Sequence, residues 1–256
     1  MRIAIVIILC AACGSPALDV ARPTAQDAAP LHAQPDLTPL SDQRWDSLTG
    51  SNWSHLRRTS SADDAVVRDE SAPASPPHVL QIVFTPDMLK DHEPSVHWLG
   101  LPRVREVYAA WWIKLSANWT ASPAGAGKMT FLHAWPDGEG QVYTALFGSA
   151  PPHRVSANTE WLPYGQKVWD PNVATTPVGY DQWYRVEWYV KWASSPGKPD
   201  GILRWWIDGA LNGDFTTVEF PRGAIGFQQF EFAPTLQNPP PVTQHMYIDH
   251  TLLSVR

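Results

Sequence analysis

The sequence predicts an all-β protein built as a two-sheet antiparallel β-sandwich of the jelly-roll type. Short segments in which apolar and polar side chains alternate recur along the chain, and Gly, Pro and Asp-Gly turn signals separate them. No amphipathic helix longer than about two turns stands out. Many short strands with regular turns and no helices between them are typical of a sandwich or jelly roll.

The stretch 183–215 gives the clearest strand signal. Side chains alternate strictly over 183–192, so that one face is largely polar and ionic and the other is apolar or aromatic. We therefore expect the apolar face to pack on a core and the polar face to meet solvent. A return strand follows over 202–207, and the dipeptide Asp208-Gly209 predicts a tight turn into a third strand.

The same alternation predicts further strands before and after this stretch. They span residues 78–84, 105–115, 127–134, 141–147, 226–232 and 244–255. The strand 105–115 carries apolar groups on both faces, which suits a central strand. In the strand 127–134, alternation puts Lys128 and His133 on opposite faces. Residues 149–181 show few strand signals, and we interpret them as a long loop that either walls a binding cleft or covers a sheet edge.

Composition limits the classes of protein that the chain can belong to. Its 256 residues allow one large all-β domain or two small ones, and 44% apolar residues are enough for a sizeable core. The 14 Trp and 25 Pro are both high. We expect most Trp to be core residues, although an exposed Trp can also stack on a sugar ring. A formal charge of −6 without a basic block argues against a nucleic-acid partner.

The N-terminus has the pattern of a secretory signal. Met1-Arg2 is followed by an apolar run of about ten residues and then by small residues, and this run is too short to span a bilayer comfortably. The segment 9–14, LCAACG, resembles a bacterial lipoprotein signal. That resemblance implies cleavage before Cys13, acylation of its thiol and an extracytoplasmic protein anchored at the outer membrane or cell surface. The alternative is an ordinary secreted protein that is cleaved nearby.

The chain divides into three regions. Residues 1–13 form the signal segment, residues 14–41 are an Ala/Pro-rich stretch that we expect to be a disordered tether, and residues 42–256 form the folded domain. The two cysteines, Cys10 and Cys13, precede the domain, so neither a disulfide nor a cysteine metal site can hold it together. We expect this domain to be a monomer.

Three motifs of the domain resemble those of one family. The segments WYRVEWYVKW (183–192), PDGILRWWIDG (199–209) and YIDHTLLS (247–254) are similar to the concanavalin A-like lectin/glucanase jelly rolls, in particular to bacterial polysaccharide-lyase-like and laminin-G-like members. The resemblance covers roughly residues 42–256. It implies two curved antiparallel sheets stacked face to face, with polysaccharide bound on the concave sheet. It implies no particular activity, because one fold hosts many functions.

The sequence argues against the paired-carboxylate chemistry of glucanases with this fold. Those enzymes need acidic side chains on one strand, spaced E-x-D-x-E or E-x-D-x-x-E. No such triplet occurs in the chain, and Tyr189 and Lys191 stand at the positions where Glu187 would need a carboxylate partner. We therefore do not expect a glycoside hydrolase of that type.

A polysaccharide lyase that acts by β-elimination is the first functional hypothesis. Such an enzyme needs a cation or amide at the uronate carboxylate and a Tyr, His or Lys that moves the neighbouring proton. Residues that act together in one site should converge within about 8 Å. The candidate catalytic residues are Lys128, His133, Tyr143, Arg185 and Tyr189. The candidate substrate-binding residues are Trp112, Trp183, Glu187, Lys191, Trp206 and Gln228.

Two alternatives to a lyase stay open. A non-catalytic glycan-binding module would use Trp112, Trp183 and Trp206 as stacking platforms for sugar rings. A structural or adhesion domain would have no sugar site, and the face that carries Arg185 and Tyr189 would then be flat or covered rather than grooved.

None of these hypotheses requires a cofactor. The family resemblance implies a possible structural Ca²⁺ near the closing strand, with Asp249 as a ligand. Zinc has less support, because the closest histidine pairs, His92/His97 and His245/His250, are each an odd number of residues apart. On a strand, that spacing puts the two rings on opposite faces.

Overall fold

The computed structural model describes residue 32 and residues 36–48, 52–58, 64–122, 125–135, 140–161, 165–195, 197–220 and 225–256, without the side chains of Ala126, Trp135 and Trp161. The signal segment, its Cys13 and most of the expected tether lie outside these residues. Within the described part of the chain, no helix is long and apolar enough to cross a membrane.

The regular secondary structure of the described residues consists of β-strands joined by turns and loops. In chain order they are β1 (Thr38–Gln43), β2 (Trp53–Arg57), β3 (Ala65–Arg68), β4 (His78–Phe84), β5 (Ser95–Val104), β6 (Glu106–Leu115), β7 (Ala126–Trp135), β8 (Gly140–Phe147), β9 (Arg154–Trp161), β10 (Gly165–Trp169), β11 (Trp183–Lys191), β12 (Pro199–Ile207), β13 (Ala210–Glu219), β14 (Gly226–Leu236) and β15 (Gln244–Val255).

Two antiparallel sheets contain these strands. Sheet A has eight strands in the order β13-β12-β11-β6-β15-β4-β3, with β1 paired to β15 off this path. Sheet B has seven strands in the order β10-β9-β8-β7-β14-β5-β2. The prediction of an all-β, two-sheet antiparallel sandwich is confirmed. The boundary expected at residue 41, between tether and domain, falls inside β1.

One hydrophobic core fills the space between the sheets. Trp111 of sheet A packs against Phe230 and Phe232 of sheet B, with ring centres 6.2 and 5.7 Å apart. Trp188 and Trp205 are also fully buried in this core. Most of the tryptophans whose side chains are described are buried, as their number in the sequence suggested.

Most of the predicted strands are confirmed close to their predicted bounds. The stretches 78–84, 105–115, 127–134, 141–147, 226–232 and 244–255 match β4, β6, β7, β8, the first part of β14, and β15. The strong signal over 183–215 matches β11, β12 and β13, which pair in that order. β11 also pairs with β6, so both strands lie inside sheet A rather than at its edge.

The predicted tight turn between β12 and β13 is confirmed. Asp208 and Gly209 have φ angles of 49° and 81°, and a type I′ hairpin turn needs positive φ at both central residues. The Asp208 carboxylate also accepts a hydrogen bond of 2.7 Å from the backbone N–H of Arg185, which ties the turn to β11.

Residues 149–181 do not form the single long loop that the sequence predicted. They contain β9 and β10, which form one edge of sheet B. The strand signal of β9 is weak because its core-facing positions include Ala157 and Thr159, which are small or only weakly apolar. The sequence also missed β5, because its first three residues are buried on both faces and its exposed positions include Gly100 and Pro102, two residue types that are rare in strands.

Candidate active site on sheet B

The structure separates the five candidate catalytic residues into two groups. Tyr143 lies in an apolar cluster on the outer face of sheet B, where Lys128 and His133 also lie on the neighbouring strand. Tyr189 lies in a different cluster on the outer face of sheet A, with Arg185 on the same strand. Both sheets, which stack about 10 Å apart, lie between these outer faces. The five residues therefore cannot form one site, although the first three share a face.

A register shift brings Lys128 and His133 to the same side of β7. The shift lies between Lys128 and Thr130, where Met129 enters the core as an extra residue. Strict alternation had put Lys128 and His133 on opposite faces, and that prediction is wrong because a bulge adds one residue to the count.

An aromatic floor lies beneath the Lys128 cation. Phe131 and Tyr143 are cross-strand partners of β7 and β8, and their ring centres are 5.2 Å apart. Lys128 Nζ lies 4.7 Å from the ring centre of Tyr143 and 5.8 Å from that of Phe131. Glu160 Oε2 lies 3.5 Å from the same ammonium group, whose side chain is 34% exposed. The cation is therefore held over the rings and can still reach a ligand from solvent.

Tyr143 is set up as a neutral proton donor. The residue is almost fully buried, and its hydroxyl accepts a hydrogen bond from Gln166 Nε2. Burial raises the pKa of Tyr143 above its ordinary value, the Glu160 carboxylate raises this pKa further, and only the Gln166 hydrogen bond opposes them. The phenol therefore keeps its proton at neutral pH.

His133 is oriented by a carboxylate. Its Nε2 lies 2.7 Å from Glu231 Oε1, and Gln229 Nε2 donates a hydrogen bond of 2.6 Å to Glu231 Oε2. The imidazole also stacks on Phe131, with ring centres 6.0 Å apart. When Nε2–H donates to the carboxylate, Nδ1 is the nitrogen that can accept a proton. This pairing is the arrangement expected of an oriented general base.

Several polar residues of this face were not predicted from the sequence. Glu160 and Gln166 lie on β9 and β10, which were not predicted as strands. Glu231 lies on β14, and only the strand order shows that β14 is next to β7. Asn158 faces Tyr143 across β8 and β9, and neither atom of its buried amide has a hydrogen-bond partner among the described residues. A ligand amide or hydroxyl would satisfy that amide.

The middle of the outer face of sheet A is covered. Glu187 has no solvent exposure, and its Oε2 accepts hydrogen bonds from the Tyr108 hydroxyl and, at 3.0 Å, from the backbone N–H of His32. The His32 ring stacks on Trp206 with ring centres 4.5 Å apart, and Leu37 is buried in the same cluster as Trp206. The middle of the polar face of β11 does not meet solvent, contrary to the prediction, because His32 and Leu37 lie over it, whereas Trp183 and Lys191 at its two ends are half-buried.

The other candidates on β11 are engaged within the protein. Arg185 is buried, with Nε 3.4 Å from Glu187 Oε1 and its guanidinium carbon 5.5 Å from the ring centre of Trp112. The Tyr189 hydroxyl donates a hydrogen bond of 2.9 Å to Glu106. Burial raises the pKa of Tyr189, and its contact with the Glu106 carboxylate raises this pKa further. These residues stabilise the outer face of sheet A.

Two further substrate-binding candidates, Trp183 and Gln228, lie away from the buried residues of β11. Trp183 is half-buried on sheet A, where Lys114 Nζ lies 4.9 Å from its ring centre. Gln228 is half-buried at a register shift of β14 in sheet B, between residues 227 and 229. Of all the substrate-binding candidates, only Gln228 belongs to the sheet that carries Tyr143.

Lys191 lines a basic pocket at one end of sheet A. The pocket has a volume of about 400 Å³, and Arg103, Arg105 and Arg256 supply further cations. Glu106 partly neutralises them, since its Oε1 lies 3.2 Å from Lys191 Nζ and 2.6 Å from Arg256. The pocket is suited to an anionic group.

The surroundings of Asp249 do not fit a calcium site. Its carboxylate accepts hydrogen bonds from Ala74 N at 2.7 Å, from Ser75 N at 3.1 Å and from the Ser75 hydroxyl. Burial raises the pKa of Asp249, while these hydrogen bonds oppose the rise. Calcium needs six to eight oxygen ligands, whereas the groups around this carboxylate are donors that anchor the 74–75 segment to β15.

Comparisons with known proteins establish the fold. No protein-family model matches the sequence, and no curated protein matches it significantly. A glucuronan lyase from the fungus Trichoderma reesei has a TM-score of 0.59 at 16% identity, over 82% of this chain and 92% of that chain. An alginate lyase from a Chlorella virus has a TM-score of 0.58 at 14% identity, over 86% and 100%.

A third similar structure has a different activity. The catalytic domain of an endo-1,3-β-glucanase from Thermotoga petrophila has a TM-score of 0.53 at 11% identity, over 86% of this chain and 98% of that domain. The chain therefore has the concanavalin A-like jelly-roll fold that its motifs predicted. Because lyases and a glucanase share this fold, the activity must be argued from the side chains.

Proposed function

We propose that this protein is a polysaccharide lyase that cleaves a uronate-containing glycan on the outer face of sheet B. The observation that carries the proposal is the grouping of Lys128, Tyr143 and the His133–Glu231 pair around Phe131. These side chains supply the cation, the proton donor and the oriented base that β-elimination needs. The similarity to two polysaccharide lyases supports this proposal.

In the proposed reaction, Lys128 Nζ binds the uronate carboxylate and stabilises the negative charge that develops there. His133 Nδ1 takes the proton from the carbon next to the carboxylate. The electrons of that C–H bond form a carbon–carbon double bond, and the bond from the next carbon to the glycosidic oxygen breaks. The Tyr143 hydroxyl gives its proton to the leaving oxygen. Proton exchange with solvent then resets both side chains.

A paired-carboxylate hydrolase is less compatible with this face. Glu160 lies on β9 and Glu231 on β14, with β8 and β7 between them. Three inter-strand spacings put their backbones about 14 Å apart or more. Each carboxylate is also already engaged, Glu160 with Lys128 at 3.5 Å and Glu231 with His133 at 2.7 Å.

A substrate panel tests the proposal. The purified chain is mixed with glucuronan, alginate and heparin, and with a neutral β-glucan as a control, while ultraviolet absorbance and reducing ends are followed. A lyase produces an absorbing unsaturated uronate together with each new reducing end. Reducing ends without absorbance would indicate hydrolysis, and the absence of product from all the uronate glycans would contradict the proposal.

His133→Gln should lower kcat on the cleaved glycan by at least about 100-fold, because the base is lost. The exposed His92 provides a matched control, and His92→Gln should keep the wild-type rate. Circular dichroism checks that both variants are folded. An active His133→Gln enzyme would remove this residue from the reaction.

A second candidate function is the non-catalytic binding of an anionic glycan in the basic pocket near Lys191. The observation that favours it is the cluster of cations around Glu106. In that case Lys191→Ala would weaken binding of heparin measured by calorimetry, and no glycan of the panel would be cleaved.

The proposed site of action is extracytoplasmic, with a lipid anchor on Cys13. This proposal rests on the lipoprotein-like segment before residue 14. When the full gene product is made in a bacterial host with labelled fatty acid, the chain should carry the label. Cys13→Ala should abolish labelling and Cys10→Ala should not; equal labelling of both variants would contradict the assignment.

A further inference from the structure

Two histidines and an aspartate converge at the edge of the sandwich where β2 and β3 end the two sheets. His55 on β2 and His97 on β5 are direct cross-strand partners, and their rings stack with centres 4.5 Å apart. Asp64, which immediately precedes β3, points Oδ2 at both rings. This oxygen lies 2.9 Å from His97 Nε2 and 3.6 Å from His55 Nε2.

We propose that these three side chains bind a divalent transition-metal ion of the zinc class. Two imidazoles and one carboxylate are a ligand set that zinc takes in proteins. One ligand atom from each residue lies within 4.8 Å of the other two. At metal–ligand distances of about 2.0–2.2 Å, ligand atoms in a tetrahedral site are about 3.3 Å apart. The distances of Asp64 Oδ2 from the two Nε2 atoms, 2.9 and 3.6 Å, bracket that value.

The cluster is buried and contains a ring nitrogen that a bound ion would satisfy. The side chains of Asp64 and His97 have no solvent exposure, and His55 Nε2 is buried without a hydrogen-bond partner among the described residues. A buried ring nitrogen without a partner is costly. At 3.6 Å from Asp64 Oδ2, His55 Nε2 is too far away for a hydrogen bond, and a cation shared with that oxygen would satisfy it.

A backbone hydrogen bond orients the aspartate of the cluster, and one of its histidines is partly open to solvent. Asp64 Oδ1 accepts a hydrogen bond of 3.3 Å from the backbone N–H of Val83, which fixes the carboxylate with Oδ2 towards the rings. The His55 side chain is 15% exposed, so an ion and a water ligand can enter from that side. A bound ion would link β2 and β5 of sheet B to the segment that enters β3 of sheet A.

Zinc binding to the purified chain, made without a histidine tag, tests the proposal. After treatment with a chelator and addition of Zn²⁺, the protein should retain about one zinc per chain through gel filtration, measured by atomic emission. At about 100-fold excess of free zinc over Kd, the Tm should rise by roughly 5 °C or more. Co²⁺ should give the visible absorption of a tetrahedral site.

Two variants and a control locate the ion. His55→Gln and Asp64→Asn should both lose the retained zinc and the Tm response, and Asp64→Asn keeps an oxygen for the Val83 hydrogen bond. His78 makes a separate pair with Asp46 at 3.3 Å, and His78→Gln should behave like wild type. Failure of the wild-type chain to retain zinc, or full retention by either cluster variant, would overturn the proposal. The cobalt spectrum of the wild-type chain decides the question if a variant does not fold.

Discussion

At the scale of single residues, two neighbouring carboxylates act differently on the proton donor and on the base of sheet B. Tyr143 keeps its proton because it is buried and because Glu160 is close. His133 points one nitrogen at Glu231, which leaves the other available to a substrate. The candidate site therefore depends on Glu160 and Glu231 as much as on the two side chains that would move protons.

A buried histidine outside the site should control part of the pH dependence of stability. His153 is buried, with its ring nitrogens 3.0 Å from Gly148 O and 3.0 Å from the Tyr180 hydroxyl. Burial lowers its pKa below the ordinary value of 6.5, so the unfolded chain binds the proton more readily. The stabilising contribution is complete above pH 6.5 and is lost as the pH falls below it.

Urea unfolding at a series of pH values measures this effect. Below the ordinary pKa of histidine, the free energy of unfolding should fall by up to about 1.4 kcal/mol per pH unit through His153. His153→Gln should flatten that slope, whereas the exposed His92→Gln should leave it unchanged. An identical slope in His153→Gln and the wild type would contradict the assignment.

Part of the candidate site was predicted from the sequence. Residue type and strand pattern picked out Lys128, His133 and Tyr143 as candidates for proton transfer and charge neutralisation. The bulge next to Lys128 was not visible, because an extra residue in a strand leaves no mark in local alternation. Glu231 was not visible either, since its contact with His133 depends on the pairing of β14 with β7.

At the scale of elements, the strands that were predicted well place apolar residues on the core-facing side and polar residues on the other side. β11 is the example, since its core-facing residues are apolar without exception. β9 was missed because its core-facing positions include Ala157 and Thr159, so the apolar half of its alternation is weak. Hydrophobic alternation is a poor guide to a strand whose core-facing residues are small or weakly apolar.

The packing of the β12–β13 hairpin can be tested at Gly213, because the absence of a side chain there lets the ring of Trp205 lie against the backbone. A methyl group at Gly213 would overlap that ring, whereas a methyl group at Gly100 on β5 would meet no heavy atom within 4 Å. Gly213→Ala should therefore lower the free energy of unfolding by about 1–3 kcal/mol.

Gly100→Ala is the matched control, since it is also a glycine within a strand. It should change stability little or raise it by up to about 1 kcal/mol, because alanine restricts the unfolded chain. Denaturant titration compares the two variants. Equal effects would show that the Trp205 ring does not lie where we describe it.

At the scale of the whole molecule, both sheets contribute to one core. Trp111 from sheet A and Phe232 from sheet B belong to the same cluster of buried side chains. A single core of this kind should unfold in one cooperative transition. Thermal melts followed by far-ultraviolet circular dichroism and by tryptophan fluorescence should share one midpoint. Two separate midpoints would mean that the sheets unfold independently.

The central claim is that chemistry takes place on sheet B and not on sheet A, and paired tyrosine variants test it most directly. Tyr143 and Tyr189 are both buried tyrosines with raised pKa values, but they lie on opposite outer faces. On the uronate glycan that the wild-type chain cleaves, Tyr143→Phe should lower kcat by at least about 100-fold, while Tyr189→Phe should stay close to the wild-type rate. Full activity in Tyr143→Phe, or loss of activity only in Tyr189→Phe, would contradict this account.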